Sequence, residues 1–221
     1  MFIKDVSKLI RDLNTPDYIT RRYAKEGINS LIVLKSVFKP DKSYLGNYLV
    51  KTLMTNKNLF INKDVLDMGC GCGLLGLICS INGASSVYFS DINPTAIKNT
   101  KINSILLDAR KSYFSCSNLF KNISNTNKFD LIIFNPPVAS GKPLNKVEMA
   151  FIRNDNLMSN FFKTFKKFLK PDGIIIMPWS TRFNKNNSPI AIAEKNHLKT
   201  IFIAKQKEND GNYIYAVSFE T

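Results

Sequence analysis

The residues best suited to chemistry sit in three short clusters, each at the end of an apolar run. The first is Asn135-Pro136-Pro137-Val138, which follows Phe129-Asp130-Leu131-Ile132-Ile133-Phe134. Proline fixes its own backbone angle, has no N–H to donate, and confines the residue before it to extended conformations. The segment is therefore a stiff loop with free carbonyls and one side-chain amide. Open α/β sheets bind ligands at such a place, beyond the carboxyl end of a parallel strand. The plainer reading is an ordinary proline-stiffened turn. The second cluster is Asp64-Val65-Leu66-Asp67-Met68-Gly69-Cys70-Gly71-Cys72-Gly73-Leu74-Leu75-Gly76-Leu77, a short strand ending in an acid, then alternating glycines, then an apolar helix. Glycines there let the chain turn tightly and bring bare backbone close to a ligand. The third is Ser86-Val87-Tyr88-Phe89-Ser90-Asp91, a second strand ending in an acid whose carboxylate can accept from both hydroxyls of a ribose.

Two kinds of ligand compete for the glycine loop. Gly71-x-Gly73-x-x-Gly76 spells the dinucleotide fingerprint, with Asp91 about 20 residues beyond its first glycine. Three features count against that reading. The glycine run begins at Gly69, directly after Asp67, and a carboxylate beside a pyrophosphate would repel it while welcoming a cation. The chain ends in a hairpin pattern, Leu198 to Lys205 and Tyr213 to Phe219 around Asp210-Gly211, which signals antiparallel pairing. A nicotinamide-binding sheet is parallel throughout, and 221 residues leave little room for a separate catalytic domain.

On these residues the chain resembles the class I S-adenosylmethionine-dependent methyltransferases, in particular the group with an Asn-Pro-Pro-aromatic loop. That group includes the HemK-like protein-glutamine methyltransferases and the small-domain ribosomal and transfer RNA methyltransferases. The resemblance runs from about Val37 to Thr221 and includes Ser43-Tyr44-Leu45 after Phe38-Lys39-Pro40. It implies S-adenosylmethionine (AdoMet) as cofactor. Asp67, Gly69, Cys70, Gly71 and Gly73 would surround its methionine part, Asp91 and Ile92 its ribose, and Asn118 and Leu119 its adenine. Asn135, Pro136 and Pro137 would be catalytic, with Asn135 also facing the cofactor. Two positions depart from the family. Val138 stands where Tyr or Phe usually stacks on a planar target, which weakens the case for a flipped nucleobase. Asn118 replaces the more usual Asp, and its amide can still bond the adenine's exocyclic amine.

The net charge of +14 points toward nucleic acid, yet Lys far outnumbers Arg, the residue that makes bidentate phosphate and base contacts. The lysines are scattered except for Lys163, Lys166, Lys167 and Lys170, which read as the wet face of a helix whose Phe161, Phe162, Phe165, Phe168 and Leu169 face the core. No apolar run is long enough to span a bilayer, and Met1-Phe2-Ile3-Lys4-Asp5 lacks a signal peptide's apolar block. Cys70, Cys72, Cys79 and Cys116 show no metal spacing and read as free thiols in a reducing cytoplasm, with no metal expected.

These clusters need a scaffold of alternating elements. Helices are expected through Leu45, Leu49 and Leu53, from Leu74 to Ser80, from Pro94 through Ile102, across the phenylalanine-rich segment to a stop at Lys170-Pro171-Asp172-Gly173, and from Ser188-Pro189. Strands are expected at Val65, before Asp91, near Tyr113, at Leu131 to Phe134 and at Ile174 to Met177. The fold class is α/β: a doubly wound, mainly parallel seven-stranded Rossmann-like methyltransferase sheet ending in an antiparallel hairpin, with a helical N-terminal extension. Residues 1–41 form that extension, with one helix through Val6, Leu9, Ile10 and Leu13 and another from Thr15-Pro16 to Gly27; residues 42–221 form the methyltransferase domain. The extension reads either as a cap on the sheet or as a substrate-recognition element, in which case Arg21, Arg22 and Tyr23 join Val138 as substrate contacts.

The expected activity is methylation of nitrogen in a planar amide or exocyclic amine, belonging to a protein glutamine or an RNA base of the translation apparatus. A metabolite acceptor is the alternative, and an inactive cofactor-binding module supporting a partner is the alternative of another class. The only histidine, His197, is expected on the surface without a catalytic part.

Overall fold

The computed structural model describes residues 18–20, 22–142, 144, 148, 152–153, 156–181, 188–207 and 213–220. In chain order the elements are β1 (Tyr18–Thr20), β2 (Leu31–Val33), α1 (Tyr44–Thr55), β3 (Asp64–Met68), α2 (Leu74–Ile81), β4 (Ser86–Asp91), α3 (Pro94–Leu106), β5 (Ser112–Cys116) and β6 (Phe129–Phe134). Then come the two-residue strands β7 (Ala139–Ser140) and β8 (Ile152–Arg153), α4 (Asn156–Thr164), β9 (Leu169–Ser180), α5 (Pro189–Lys195), β10 (Lys199–Lys207) and β11 (Tyr213–Glu220).

Seven strands form one sheet in the order β10-β11-β9-β6-β3-β4-β5. Strands β5, β4, β3, β6 and β9 pair in parallel, and β11 pairs antiparallel with both β9 and β10. The expected doubly wound, mainly parallel seven-stranded sheet ending in an antiparallel hairpin is therefore the observed one. The order reverses direction at β3, so the loops after β3, β4 and β6 meet over the carboxyl edge, the switch point where such sheets take ligands.

Local chemistry starts the helices where the sequence indicates. The Ser43 hydroxyl accepts from the Gly46 N–H at the head of α1 (2.8 Å), and Asn93 accepts from Thr95 N–H before Pro94 opens α3 (3.0 Å). Ser188 accepts from Ala191 N–H at α5 (2.9 Å). Each such cap satisfies one donor that a helix start leaves unpaired.

The two faces of the sheet carry separate cores. One packs α1, α2 and the β1–β2 ribbon over Val65, Val87, Leu131 and Ile176. The other packs α4 and α5 over Leu66, Ile132, Ile175 and Val217, and it is rich in aromatic rings. Phe161 lies against Phe120, Phe134, Phe162 and Phe165 with ring centroids 4.8–5.9 Å apart. Alternate residues of one strand feed opposite cores, the period-two consequence of the pleat.

Three expectations change. Residues 18–27 are not helical. Tyr18 to Thr20 pair antiparallel with Leu31 to Val33, and a single 3-10 turn, Ala24–Glu26, closes at Gly27. A few apolar positions at helical spacing are matched equally well by a short ribbon, and pairing with β2 decides between them. The Lys170–Gly173 stop lies inside β9; the helix ends earlier at Thr164, through a 3-10 turn at Phe165–Phe168. Lys170 also leaves the wet face: its ammonium bonds Asp64 (2.6 Å) and Asp130 (2.8 Å) at the amino ends of β3 and β6. The expected helix through Val6 to Leu13, the Thr15-Pro16 start and the Asp210-Gly211 turn lie outside the described residues.

Candidate active site

The glycine loop leaves β3 and enters α2 through three residues with left-handed backbone: Gly69 (φ 71°), Gly71 (φ 59°) and Gly73 (φ 90°). Gly73 has no substitute, since a Cβ there would lie 2.8 Å from the Thr100 methyl and 2.9 Å from Leu77. At Gly71 the space that a Cβ would enter is open for 4 Å. The loop is thus tightly packed on the protein side at Gly73 and bare where a ligand would lie.

Asp67 is buried at the end of β3, and its Oδ2 accepts from the Gly76 N–H (2.9 Å). Desolvation dominates there: it pushes the carboxyl up to about 7, with Asp91 adding repulsion and the Gly76 N–H opposing the rise. Among the described residues no cation pairs with this buried carboxylate, which leaves it suited to a cationic ligand group. Asp91 ends β4 with Oδ2 on the Gly71 N–H (2.9 Å) and Oδ1 on the Asn93 N–H (2.8 Å). Burial raises its pKa, against those backbone donors. With the Ile92 N–H also directed at this carboxylate, it keeps acceptor capacity for a ribose hydroxyl. Ile92 is half-buried beside it.

On the adenine side, Asn118 is exposed just past β5, and Leu119 follows in a left-handed conformation (φ 50°), its carbonyl accepting from the Ser117 hydroxyl (2.7 Å). The thiols of Cys70 and Cys72 face inward, and burial pushes the first well up and the second up to about 12, so neither supplies a thiolate.

Asn135 stands half-buried at the carboxyl end of β6, the strand next to β3, followed by buried Pro136 and half-buried Pro137. A Cβ on Gly46, at the head of α1, would lie 3.3 Å from Asn135 Nδ2. Just before it, the Phe134 ring lies 3.8 Å from where a Cβ of Gly69 would be. The amide therefore lies against the first turn of α1, and the ring before it lies near the glycine loop. Val138 packs against the core that carries the glycine loop.

The remaining predicted contacts fare unevenly. Tyr23 belongs to the core: its ring is buried and its hydroxyl donates to Asn47 Oδ1 (2.8 Å), so it is not offered to an acceptor. Arg22 is exposed on the ribbon, and Arg21 lies outside the described residues. His197 is exposed at the end of α5.

Sequence reasoning missed the polar face of α3. Asn99, Thr100 and Asn103 are all but fully buried. Thr100 donates to the Gly71 carbonyl (3.0 Å) and contacts the Cys70 sulfur (3.4 Å). Asn103 Nδ2 donates to the carbonyls of Cys72 and Ile32 (both 2.8 Å), while its Oδ1 accepts from Ile32 N–H (3.0 Å). Asn99 bonds Ile32 and Leu34, and Asn93 bonds Ser36 (3.0 Å). One helix face thus turns two glycine-loop carbonyls away from the ligand side and ties the β1–β2 ribbon down. The available signal was the i, i+4 pair Asn99 and Asn103 in a helix lacking an apolar stripe.

Comparison with known proteins is decisive at this point. Residues 30–209 match the methyltransferase small domain. The chain belongs to that family. It is an S-adenosylmethionine-dependent methyltransferase. A Methanocaldococcus jannaschii protein, whose name proposes protein N5-glutamine methyltransferase activity, is 34% identical over 68% of this chain and 75% of its own length. A release factor glutamine methyltransferase of Borreliella burgdorferi is 31% identical over 63% of this chain and 53% of its own. Among solved structures, a T. thermophilus 16S rRNA methyltransferase with AdoMet and guanosine superposes with a TM-score of 0.63 at 18% identity, over 87% of this chain and 47% of that one. The methyltransferase therefore spans three quarters of the archaeal relative and about half of the other two.

Proposed function

We propose that the methyltransferase transfers the methyl group to nitrogen of a planar primary amide, the glutamine side chain of a protein of the translation apparatus. The observation that supports this reading is Asn135, at the carboxyl end of β6 against the first turn of α1 and followed by two prolines. AdoMet, when bound, supplies an electrophilic methyl on a sulfonium. The residues present fit that cofactor: Asp67 offers a charge for its cationic end, Asp91 an acceptor for its ribose, and the bare loop around Gly71 room for its backbone.

The chain's own part is to aim the acceptor and to hold the charge that grows on it. An amide nitrogen has its lone pair spread into the carbonyl. If the Asn135 side-chain oxygen and the Pro136 carbonyl accept its two N–H bonds, electron density on nitrogen rises and the lone pair is directed at the methyl. The prolines keep those acceptors from relaxing, and preorganised polar groups are among the largest sources of catalysis. The nitrogen that gains the methyl must lose one proton; once methylated it is strongly acidic and releases that proton to water, so no strong general base is required, in keeping with a site free of histidine among the described residues.

Val138 favours the amide over a nucleobase, because a glutamine side chain needs less stacking surface than a flipped base. The names of the M. jannaschii and B. burgdorferi relatives support the same choice. An exocyclic amine of an RNA base is the second reading, supported by the basic charge. The enzyme is proposed to work in the cytoplasm; no described helix is long and apolar enough to cross a membrane.

Labelled methyl transfer from AdoMet into fractionated cell extract tests the proposal. Label that disappears on protease digestion supports a protein amide. Label removed by nuclease makes RNA the acceptor, and label surviving both moves it to a small molecule.

A further inference from the structure

The connection from β5 to β6 is a parallel crossover, and such crossovers are usually helical. Here residues 117–128 make turns only. This segment packs on α4 and the 3-10 turn after it through Phe120 and through Lys128, whose ammonium donates to the Lys167 carbonyl, and between these contacts lies an open groove of about 530 Å³. Its floor is rigid, with the Phe120 and Phe168 rings stacked at 4.5 Å. Along it lie Asn125, Asn160 and Thr164, with Lys121 on one wall and Lys167 on the other.

The charge of these walls is one-sided. Residues 117–128 and 156–168 hold Lys121, Lys128, Lys163, Lys166 and Lys167 and not a single acid. All five are exposed. The acids nearest these segments in the sequence are Asp130, which Lys170 bonds, Asp155 and Asp172. Asn118, the residue expected beside the adenine, also lines the groove.

We propose that this groove binds the sugar–phosphate backbone of single-stranded RNA. Lysines place point charges on phosphates without reading sequence. The amides and hydroxyls between them both donate and accept, which suits phosphate oxygens and ribose hydroxyls together. The carboxylates of an acidic peptide would call for donors alone. The volume fits a nucleotide-sized unit. The RNA is a docking partner, so a glutamine acceptor carried on a ribonucleoprotein would be presented by it.

The test uses the full chain and a fluorescein-labelled oligouridylate of about 12 nucleotides, followed by anisotropy across a salt series. Lys121→Glu with Lys167→Glu is compared with Lys25→Glu with Lys98→Glu, two equally exposed lysines on the ribbon turn and α3. The groove pair is expected to lose about tenfold or more in affinity and to flatten the slope of log K against log salt by about 1.4, two single-strand phosphate contacts. The control pair is expected to change little, and AdoMet affinity to stay equal in both. Equal losses in the two pairs, or none in the groove pair, would overturn the proposal. Polyglutamate competing as well as RNA would overturn the choice of partner. No methyl transfer is measured, so the groove and the amide acceptor stand or fall separately.

Discussion

Around β3 and β4 the carboxyl edge is bare backbone braced from beneath. The peptide groups of Gly71 and Cys72 are pinned by Thr100 and Asn103, and two carboxylates take the N–H groups of Gly71, Gly76 and Asn93. Beyond β6 the same edge is a side-chain amide stiffened by covalent means, two prolines in succession. The cofactor half is held by a buried hydrogen-bond network, the acceptor half by the chain's own torsional limits. AdoMet is the same molecule at every turnover and can be met by fixed backbone, whereas the proposed acceptor is one group of a larger molecule, so only one side chain needs to be aimed at it. Changes in the first half should therefore appear in binding, and changes in the second in turnover.

The sharpest division is expected at Asn135. Asn135→Ala should lower kcat by about a hundredfold to a thousandfold, the usual loss on removing one preorganised polar group. AdoMet affinity, followed by calorimetry, should remain within about threefold. Full activity in this variant would break the comparison and the nitrogen-methylation reading together.

Asp91→Ala should do the reverse, weakening AdoMet binding by about tenfold to a hundredfold, as expected for a hydrogen-bonded charged group. At saturating cofactor its kcat should approach the parent value. Steady-state kinetics at two cofactor concentrations separates the cases.

Asp67 sets binding against stability. Its folded pKa near 7 exceeds the unfolded carboxyl value of 3.8, so protonation favours the folded state. Its contribution declines as pH rises from about 4 to 7 and is flat above. Asp67→Asn keeps the acceptor for Gly76 N–H, so it should raise the apo melting temperature at pH 8 and do less at pH 5. The same change should weaken AdoMet binding by about tenfold, because the cation loses its partner. In the parent, affinity should fall as pH drops below about 7, since binding then requires a proton to leave.

The smallest effect is expected at Thr100. Thr100→Val preserves shape and removes the bond to the Gly71 carbonyl, worth about 1 kcal/mol, or roughly fivefold in AdoMet affinity. Thr100→Ser should recover it. A drop in melting temperature with unchanged affinity would assign Thr100 to folding alone.

Legibility in the sequence follows the range of the forces involved. Asp67, the glycines, Asp91 and the Asn135-Pro136-Pro137 loop were readable because each announces itself locally: an acid ending an apolar run, glycines where the chain must turn, prolines that limit torsion. The alternation of strands and helices, the starts at Pro94 and Ser188, and the closing hairpin were readable for the same reason. Strand β1 was not, because the apolar positions Tyr18, Ile19 and Tyr23 cannot distinguish a turn of helix from a strand until β2 pairs with it. Tyr23 and Lys170 misled in opposite directions, one taken for a contact and one for a solvated charge. Their partners, Asn47 in one case and Asp64 and Asp130 in the other, stand 24, 106 and 40 residues away. The buried amides of α3 and the groove beside α4 belong to the same class. What a residue does with the chain next to it was determined by the amino-acid sequence alone; whether a polar side chain meets water, a carbonyl or an open groove was decided only when distant segments packed together.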